Sequence, residues 1–190
     1  NRKNEDKDKL NKQKFKSPEE WLLSLNIKVL AKKLNDANHI RTTQLINKTN
    51  QMNLSTRRLT DIELKNWTDK AENFLWTFRV SDKFGDSGLT GIASFTLKGD
   101  EAIIVDFILS CRVMGKNIEH AMTSFLVQKA KTLKVKSIIV KYQKTEKNKP
   151  CYDYWKSSNF IEKNKSTFVW DLDKEYLKQK SIELNEVQPS

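Results

Sequence analysis

Ile103-Ile104-Val105-Asp106-Phe107-Ile108-Leu109-Ser110-Cys111-Arg112-Val113-Met114-Gly115-Lys116-Asn117-Ile118-Glu119-His120 is the stretch on which the reading of the fold turns. It opens as an apolar strand, passes through a short turn holding a glycine, and continues as an amphipathic helix. Ile118, Met122, Phe125, Leu126, Ala130 and Leu133 recur at helical spacing, which sets Lys129, Lys131 and Lys134 toward water. The order predicts a sheet with a helix packed on it. A helix start also offers an anion its unpaired N–H groups and the positive end of the dipole. Gly115 permits close backbone approach, and Arg112 and Lys116 add charge. A pyrophosphate suits that geometry. So does an ordinary strand-turn-helix unit with a chance glycine, and neither G-x-x-x-x-G-K-[ST] nor G-x-G-x-x-G is present. The residues by themselves leave both readings open.

Toward the N-terminus, apolar strands are expected over 74–80, 89–97 and 101–109, joined by a Gly/Asp turn over 81–88 and a short hairpin around Gly99-Asp100. All five glycines lie between Gly85 and Gly115, so the tight turns gather around this meander. Thr60-Asp61-Ile62-Glu63 and Ser17-Pro18-Glu19-Glu20 both have the spacing of a capping box; the first opens a helix through Leu64, Trp67 and Ala71, the second one that buries Trp21, Leu22 and Leu25. Ile27, Val29 and Leu30 suggest a short strand. The stretch 36–53 is predicted to be a helix that unwinds near Asn50, and it is unusually rich in amides and hydroxyls. Gln44, Asn47, Asn50 and Asn53 suit either the wall of a polar acceptor pocket or caps and turns.

Toward the C-terminus, 137–142 is β-rich and should lie beside the 103–109 strand. A loop over 145–150 leads to a helix through Tyr152, Tyr154 and Trp155, then a strand over 166–172; residues 173–190 read as a charged helix or tail. Residues 1–16 are polar and charged, a linker or solvated helix to something further upstream, and the absence of an initial Met fits a fragment of a longer protein. The domain proper is expected over 17–172.

With 190 residues, 37% of them hydrophobic, the chain can bury one sizeable core. The net charge of +11 suits an anionic partner, but Lys and Asn saturate the whole sequence and no nucleic-acid signature accompanies the charge. No apolar run is long enough for a membrane span, and no leader is visible; a cytoplasmic protein is expected. Two cysteines without C-x-x-C spacing and two histidines predict no metal site. A Cys111–His120 nucleophile pair is conceivable, though Cys111 at a strand end reads first as a small structural residue.

The turn Arg112-Val113-Met114-Gly115-Lys116-Asn117 resembles the R-x-x-G-x-[GA] turn with which the Gcn5-related N-acetyltransferase (GNAT) fold grips the pyrophosphate of coenzyme A, with Asn117 in place of the last Gly or Ala. Residues 41–58 resemble the R-x-x-Q-L-x-x-K-T-N-Q-F-N-L-T-T-R-R block of FkbH-like proteins. Residues 81–88 resemble their D-R-F-G-D-x-G turn, 110–119 their S-C-R-V-L-G-R-G-V-E turn, and 145–160 their T-x-K-N-x-P segment ending in G-F. Such proteins pair a haloacid-dehalogenase (HAD) domain, of subfamily IIIC, with a C-terminal GNAT-like domain; only the second is matched here.

The resemblance implies an α/β fold of GNAT type, a mixed, mostly antiparallel sheet flanked by helices on both faces. It implies an acyltransferase domain that uses acyl-CoA or the phosphopantetheine of an acyl carrier protein, with no metal. The whole protein would handle a glyceryl or similar small acyl unit in polyketide or surface-polysaccharide biosynthesis. Its partners would be the carrier protein, the HAD-like domain and a small-molecule or carrier-bound acyl acceptor. The cofactor residues so implied are Ser110, Arg112, Val113, Gly115, Lys116, Asn117 and Asn148, the last facing the pantetheine arm. The arm would run between the two central strands and set its carbonyl on backbone N–H groups near 107–110. Where the family often has a Tyr that protonates the thiolate, this chain has Trp155, whose indole is no useful acid, so the role would shift to Tyr154. Asp82, Asp86, Glu119 and His120 remain as candidate proton acceptors, Asp82 and Asp86 reading equally well as turn residues. The alternative implied by these departures is a non-catalytic module that docks the carrier protein for the HAD domain.

Overall fold

The computed structural model describes residue 12 and residues 14–188, so most of the expected 1–16 linker lies outside the described residues. Helix α1 (Pro18–Ser24) leads into strand β1 (Ile27–Lys33), then α2 (His39–Lys48), a two-residue strand β2 (Met52–Asn53) and α3 (Asp61–Thr68). The meander is β3 (Asn73–Asp82), β4 (Gly85–Lys98) and β5 (Glu101–Leu109). Helix α4 (Ile118–Thr132), β6 (Ser137–Lys141), α5 (Lys149–Ser157), β7 (Ile161–Asn164), β8 (Thr167–Asp171) and β9 (Ile182–Glu186) complete the chain.

Nine strands form one sheet in the order β7-β8-β6-β5-β4-β3-β1-β9, with β2 added beside β5. All pairs are antiparallel except β5 with β6 and β1 with β9. One face carries a large core in which Trp76, Phe78, Phe95 and Phe107 meet Met122, Phe125 and Leu126 of α4 and Trp155 of α5. The other carries a smaller one, where Leu45 and Ile46 of α2 and Leu64 of α3 cover Leu75, Ile92 and Ile108. Alternating apolar residues on β3 to β5 thus feed two layers of helix.

Three sequence expectations need correction. Residues 173–184 are not helical. Leu172 and Tyr176 are buried, and the alternation of Ile182 and Leu184 belongs to β9, which lies parallel to β1 from Ile27–Ile182 to Ala31–Glu186. That segment also covers the outer side of α4, so the helix is buried nearly all round from Ile118 to Val127, and Lys129 is ion-paired with Glu186. The capping box at Ser17 is half formed: the Ser17 hydroxyl accepts from the Glu20 N–H at 3.1 Å, but the Glu20 carboxylate takes the Lys16 N–H at 3.0 Å. At Thr60 both halves are present, but that helix ends at Thr68, capped by Asp69, and does not reach Ala71. Finally, the sequence pattern does not mark β7, which forms a hairpin with β8 at the sheet edge.

The feature that shapes the centre of the sheet is a bulge in β5. Opposite the adjacent pair Ser94 and Phe95 of β4 stand Asp106 and Ile104, so Val105 is the extra residue. An extra residue bends a strand and increases its twist. Pairing of β5 with β6 covers Glu101–Ser137 to Ile104–Val140 and ends there, at the bulge. Beyond it the two parallel strands separate.

Candidate functional site

The widening gap between β5 and β6 is filled by the chain itself. Met52 pairs with Leu109 and Asn53 with Ile108, and the Leu54 N–H donates to the Phe107 carbonyl at 3.2 Å. On the opposite side the Gln143 N–H donates to the Leu54 carbonyl at 3.2 Å. Residues 52–54 therefore bridge β5 and the chain leaving β6. Met52 is 2% exposed, and Asn53 and Leu54 are 0% exposed. Ser110, expected among the oxyanion donors, gives its N–H to the Thr90 carbonyl at 2.8 Å.

The polar block that leads into this segment is folded onto itself. Asn47 exchanges two hydrogen bonds with the backbone of Leu59, at 2.7 and 3.0 Å. Asn50 accepts from Arg58 at 2.8 Å, while Asn53 donates to the Thr49 carbonyl at 3.0 Å and accepts from the Thr56 N–H at 2.9 Å. Gln44 is exposed on α2. Of the two readings of these amides, caps and turns describe Asn47, Asn50 and Asn53.

Beneath the block lies a charge cluster that sequence inspection missed. Arg57 makes a bidentate pair with Asp106, 2.9 and 2.6 Å, and stacks on Trp67 with 4.5 Å to the ring centre. Asp106, fully buried, also accepts from the Ser94 hydroxyl at 2.6 Å. An unpaired charge there would be severely penalised, and the fork geometry of Arg satisfies both carboxylate oxygens. The only sequence signal was a lone Asp inside an otherwise apolar strand.

Asn148 is fully buried at the N-cap of α5, and every polar atom of its side chain is bonded within the protein. Its Nδ2 donates to the carbonyls of Asn53 at 3.0 Å and Gln143 at 2.8 Å; its Oδ1 accepts from the Tyr142 hydroxyl at 2.7 Å and the Thr145 N–H at 2.8 Å. Tyr154 stacks on Phe107, is 7% exposed, and directs its hydroxyl to Thr123 and to the Glu119 carbonyl, 3.1 Å away. Burial holds its pKa well above the ordinary value. Trp155 is fully buried beside it. Cys151 is buried and its thiol is pushed up to about 12 by desolvation.

On the turn, Ser110 caps a short 3₁₀ segment (Cys111–Val113), with Val113 buried and Gly115 at φ 80°. Asn117 is the N-cap of α4, left-handed at φ 62°, and its side chain makes no capping bond. Lys116 is ion-paired with Asp82 at 3.2 Å, both largely buried, and Asp82 also accepts the Phe84 N–H at 2.8 Å. Glu119 is buried; desolvation raises its pKa, while the N–H groups of Glu119 itself and of Gly115 act against that rise. An internal carboxyl therefore occupies the head of α4. Burial lowers the pKa of His120, which packs edge-on against Tyr154 at 5.0 Å between ring centres. Asp86 is exposed and paired with Arg79, whose hydrogen bonds and the Gly88 N–H depress its pKa. Arg112 and Cys111 are exposed, so this thiol is not the small core residue that its place in the sequence suggests. A cleft of about 440 Å³ opens beside the turn, with Gly115 and Asn117 on one wall and Lys12, Lys16 and Trp21 on the other.

The structure therefore brings Asp82 to Lys116 and Glu119 and His120 to Tyr154. It sets Asp86 apart at the meander tip, and it turns Asn53 and Asn148 toward each other. Among the described residues no group of His, Cys, Asp and Glu could hold a metal ion, and no helix is long and apolar enough to cross a membrane.

No protein-family model matches this sequence, and no curated protein does. Solved structures do match in fold. The ribosomal-protein-S18-alanine N-acetyltransferase of Escherichia coli superposes with a TM-score of 0.57 at 8% identity, over 76% of this chain and 94% of that one. Spermidine N-acetyltransferase from Vibrio cholerae, in complex with CoA and spermine, gives 0.58 at 15% identity, over 77% and 96%. Rv2747 from Mycobacterium tuberculosis, in complex with CoA and NLQ, gives 0.54 at 16%, over 70% and 72%. The fold is that of the GNAT acetyltransferases, a mixed and mostly antiparallel sheet with helices on both faces.

Proposed function

We propose that this chain is the GNAT-type domain of an FkbH-like protein that handles a glyceryl or similar small acyl unit on phosphopantetheine, in polyketide or surface-polysaccharide biosynthesis. Its contribution there is to dock the acyl carrier protein, leaving covalent chemistry to a HAD-like domain of the same polypeptide. The observation that carries this reading is the buried hydroxyl of Tyr154. It is the residue left to act as acid, and its hydroxyl is spent on Thr123 and Glu119 inside the core. Asn148 and Lys116 are likewise engaged within the protein.

What remains for a partner is surface. Arg112 is exposed, with its guanidinium donating to the Ser87 carbonyl at 3.4 Å; the cleft at Gly115 and Asn117 is walled by Lys12 and Lys16, and the chain carries +11 overall. Carrier proteins are acidic, so opposite charge would steer the encounter and place the pantetheine phosphate near Arg112. The arm itself would stay outside the sheet, within reach of the HAD-like domain.

The second reading, an acyltransferase acting on acyl-CoA or a carrier-bound thioester, is favoured by the fold itself. Titration calorimetry with holo carrier protein, paired with a turnover assay using acetyl-coenzyme A and the acylated carrier, separates the two. Docking predicts salt-sensitive carrier binding, weakened by Arg112→Ala, with no acyl transfer by the isolated chain. Turnover lost in Tyr154→Phe would establish the acyltransferase, and absence of carrier binding would end the docking reading.

A further inference from the structure

We infer that residues 52–54 are a resident strand of this sheet, standing where a pantetheine arm would lie, and that the domain accepts no thioester arm between β5 and β6. The two backbone edges that the bulge at Val105 exposes are the edges to which an extended ligand would bond. Both are taken by peptide: Met52 and Asn53 pair with Leu109 and Ile108, Leu54 donates to Phe107, and Gln143 donates to Leu54. An extended peptide and a pantetheine arm both offer amides that bond along an open strand edge, so one substitutes for the other.

Asn148 supports the substitution directly. The side-chain amide expected to face the arm holds the Asn53 carbonyl instead, and joins it to the Gln143 carbonyl across the gap. The connection on either side is fixed as well. Asn47 is bonded to Leu59, Arg58 donates to the Ile46 carbonyl and to Asn50, and Arg57 is clamped on buried Asp106. A strand that left the gap would leave the Phe107 carbonyl, the Gln143 N–H and the buried Asn148 amide without these partners, and would pull against that clamp. The block over 41–58, which carries much of the FkbH-like resemblance, is on this view the device that builds and retains the strand. The inference goes beyond carrier docking and holds whether or not a carrier protein binds.

Amide hydrogen exchange followed residue by residue in the described chain tests it. In the free protein the Leu54 and Gln143 amides should exchange only as fast as global unfolding permits, alongside the slowest amides of β4 and β5. Adding coenzyme A, acetyl-coenzyme A or holo carrier protein should leave both protections unchanged, whatever binds elsewhere. Exchange of these two amides through a local opening well short of global unfolding overturns the inference. So does a many-fold acceleration of both on adding any of the three ligands, because the strand would then be a gate. Carrier binding is read by calorimetry on the same samples, so a failure of docking and a departure of the strand give different signals.

Discussion

The two halves of β5 have different neighbours. Residues 101–104 lie against β6 in parallel register, whereas residues 108–109 lie against β2, antiparallel, and Phe107 accepts from Leu54 just beyond it. The second half is buried throughout, whereas in the first Glu101 and Ile103 are only partly buried. One extra residue at Val105 separates them, because the bulge turns the strand away from β6 and leaves an edge that some other amide must satisfy. In the first half that partner follows directly from the crossover through α4. In the second it comes from the loop after α2, brought by an amide network and a buried ion pair. A gap in a sheet is therefore a demand for hydrogen bonds, and ligand and backbone compete to meet it.

The largest expected effect comes from cutting the clamp under the second half. Asp106→Ala leaves Arg57 without its partner and the Ser94 hydroxyl without its acceptor, and should cost about 3–5 kcal/mol in urea unfolding. A loss below about 1 kcal/mol, the range of surface pairs, would mean that the clamp does not hold β2 in place. Asn148→Ala is next. It leaves the buried Asn53 carbonyl and the partly buried Gln143 carbonyl with fewer partners and should cost about 2 kcal/mol, with faster exchange at Leu54 and Gln143 but not in residues 101–104. Equal loss of protection in both halves would show that they open as one unit.

The smallest effect is electrostatic and sits on the turn. Because burial raises the Glu119 pKa above its ordinary value of 4.5, the folded protein holds that proton more tightly than the unfolded chain. This stabilising contribution is fully present below 4.5 and is lost as pH rises through the raised value. Glu119→Gln should flatten that portion of the stability–pH curve. His120 acts in the opposite sense below 6.5: its depressed pKa means that stability falls on acidification, so the two must be separated by variant rather than by the shape of one curve. An unchanged curve in Glu119→Gln would place the carboxyl in solvent.

Much of this architecture was legible in advance. Period and punctuation identified β3, β4, β5 and α4, the turn at Gly115 and the capping box at Thr60, since each depends on neighbours a few residues away. The tail after Leu172 was misread because β9 has only Ile182 and Leu184 to mark it among charged residues. The register that buries them is supplied by β1, more than 140 positions earlier. The site suffered most. Residue type and resemblance leave Asn53 open between a pocket wall and a turn and suggest ligand or catalytic roles for Asn148, Lys116 and Tyr154, but a polar side chain has no destination until its neighbours are known.

The sequence by itself determined most of the strands and helices, β7 and β9 apart, and their order, and hence the GNAT scaffold, because local propensity and apolar period act over short distances. Only the tertiary structure decided what fills the space between β5 and β6. That outcome rests on a one-residue bulge, on Asn148 meeting Asn53 across 95 positions of chain, and on Arg57 reaching Asp106 across 49. Such contacts form only where folding has already set the partners side by side, and in this chain they turn ligand-type residues inward to complete the fold.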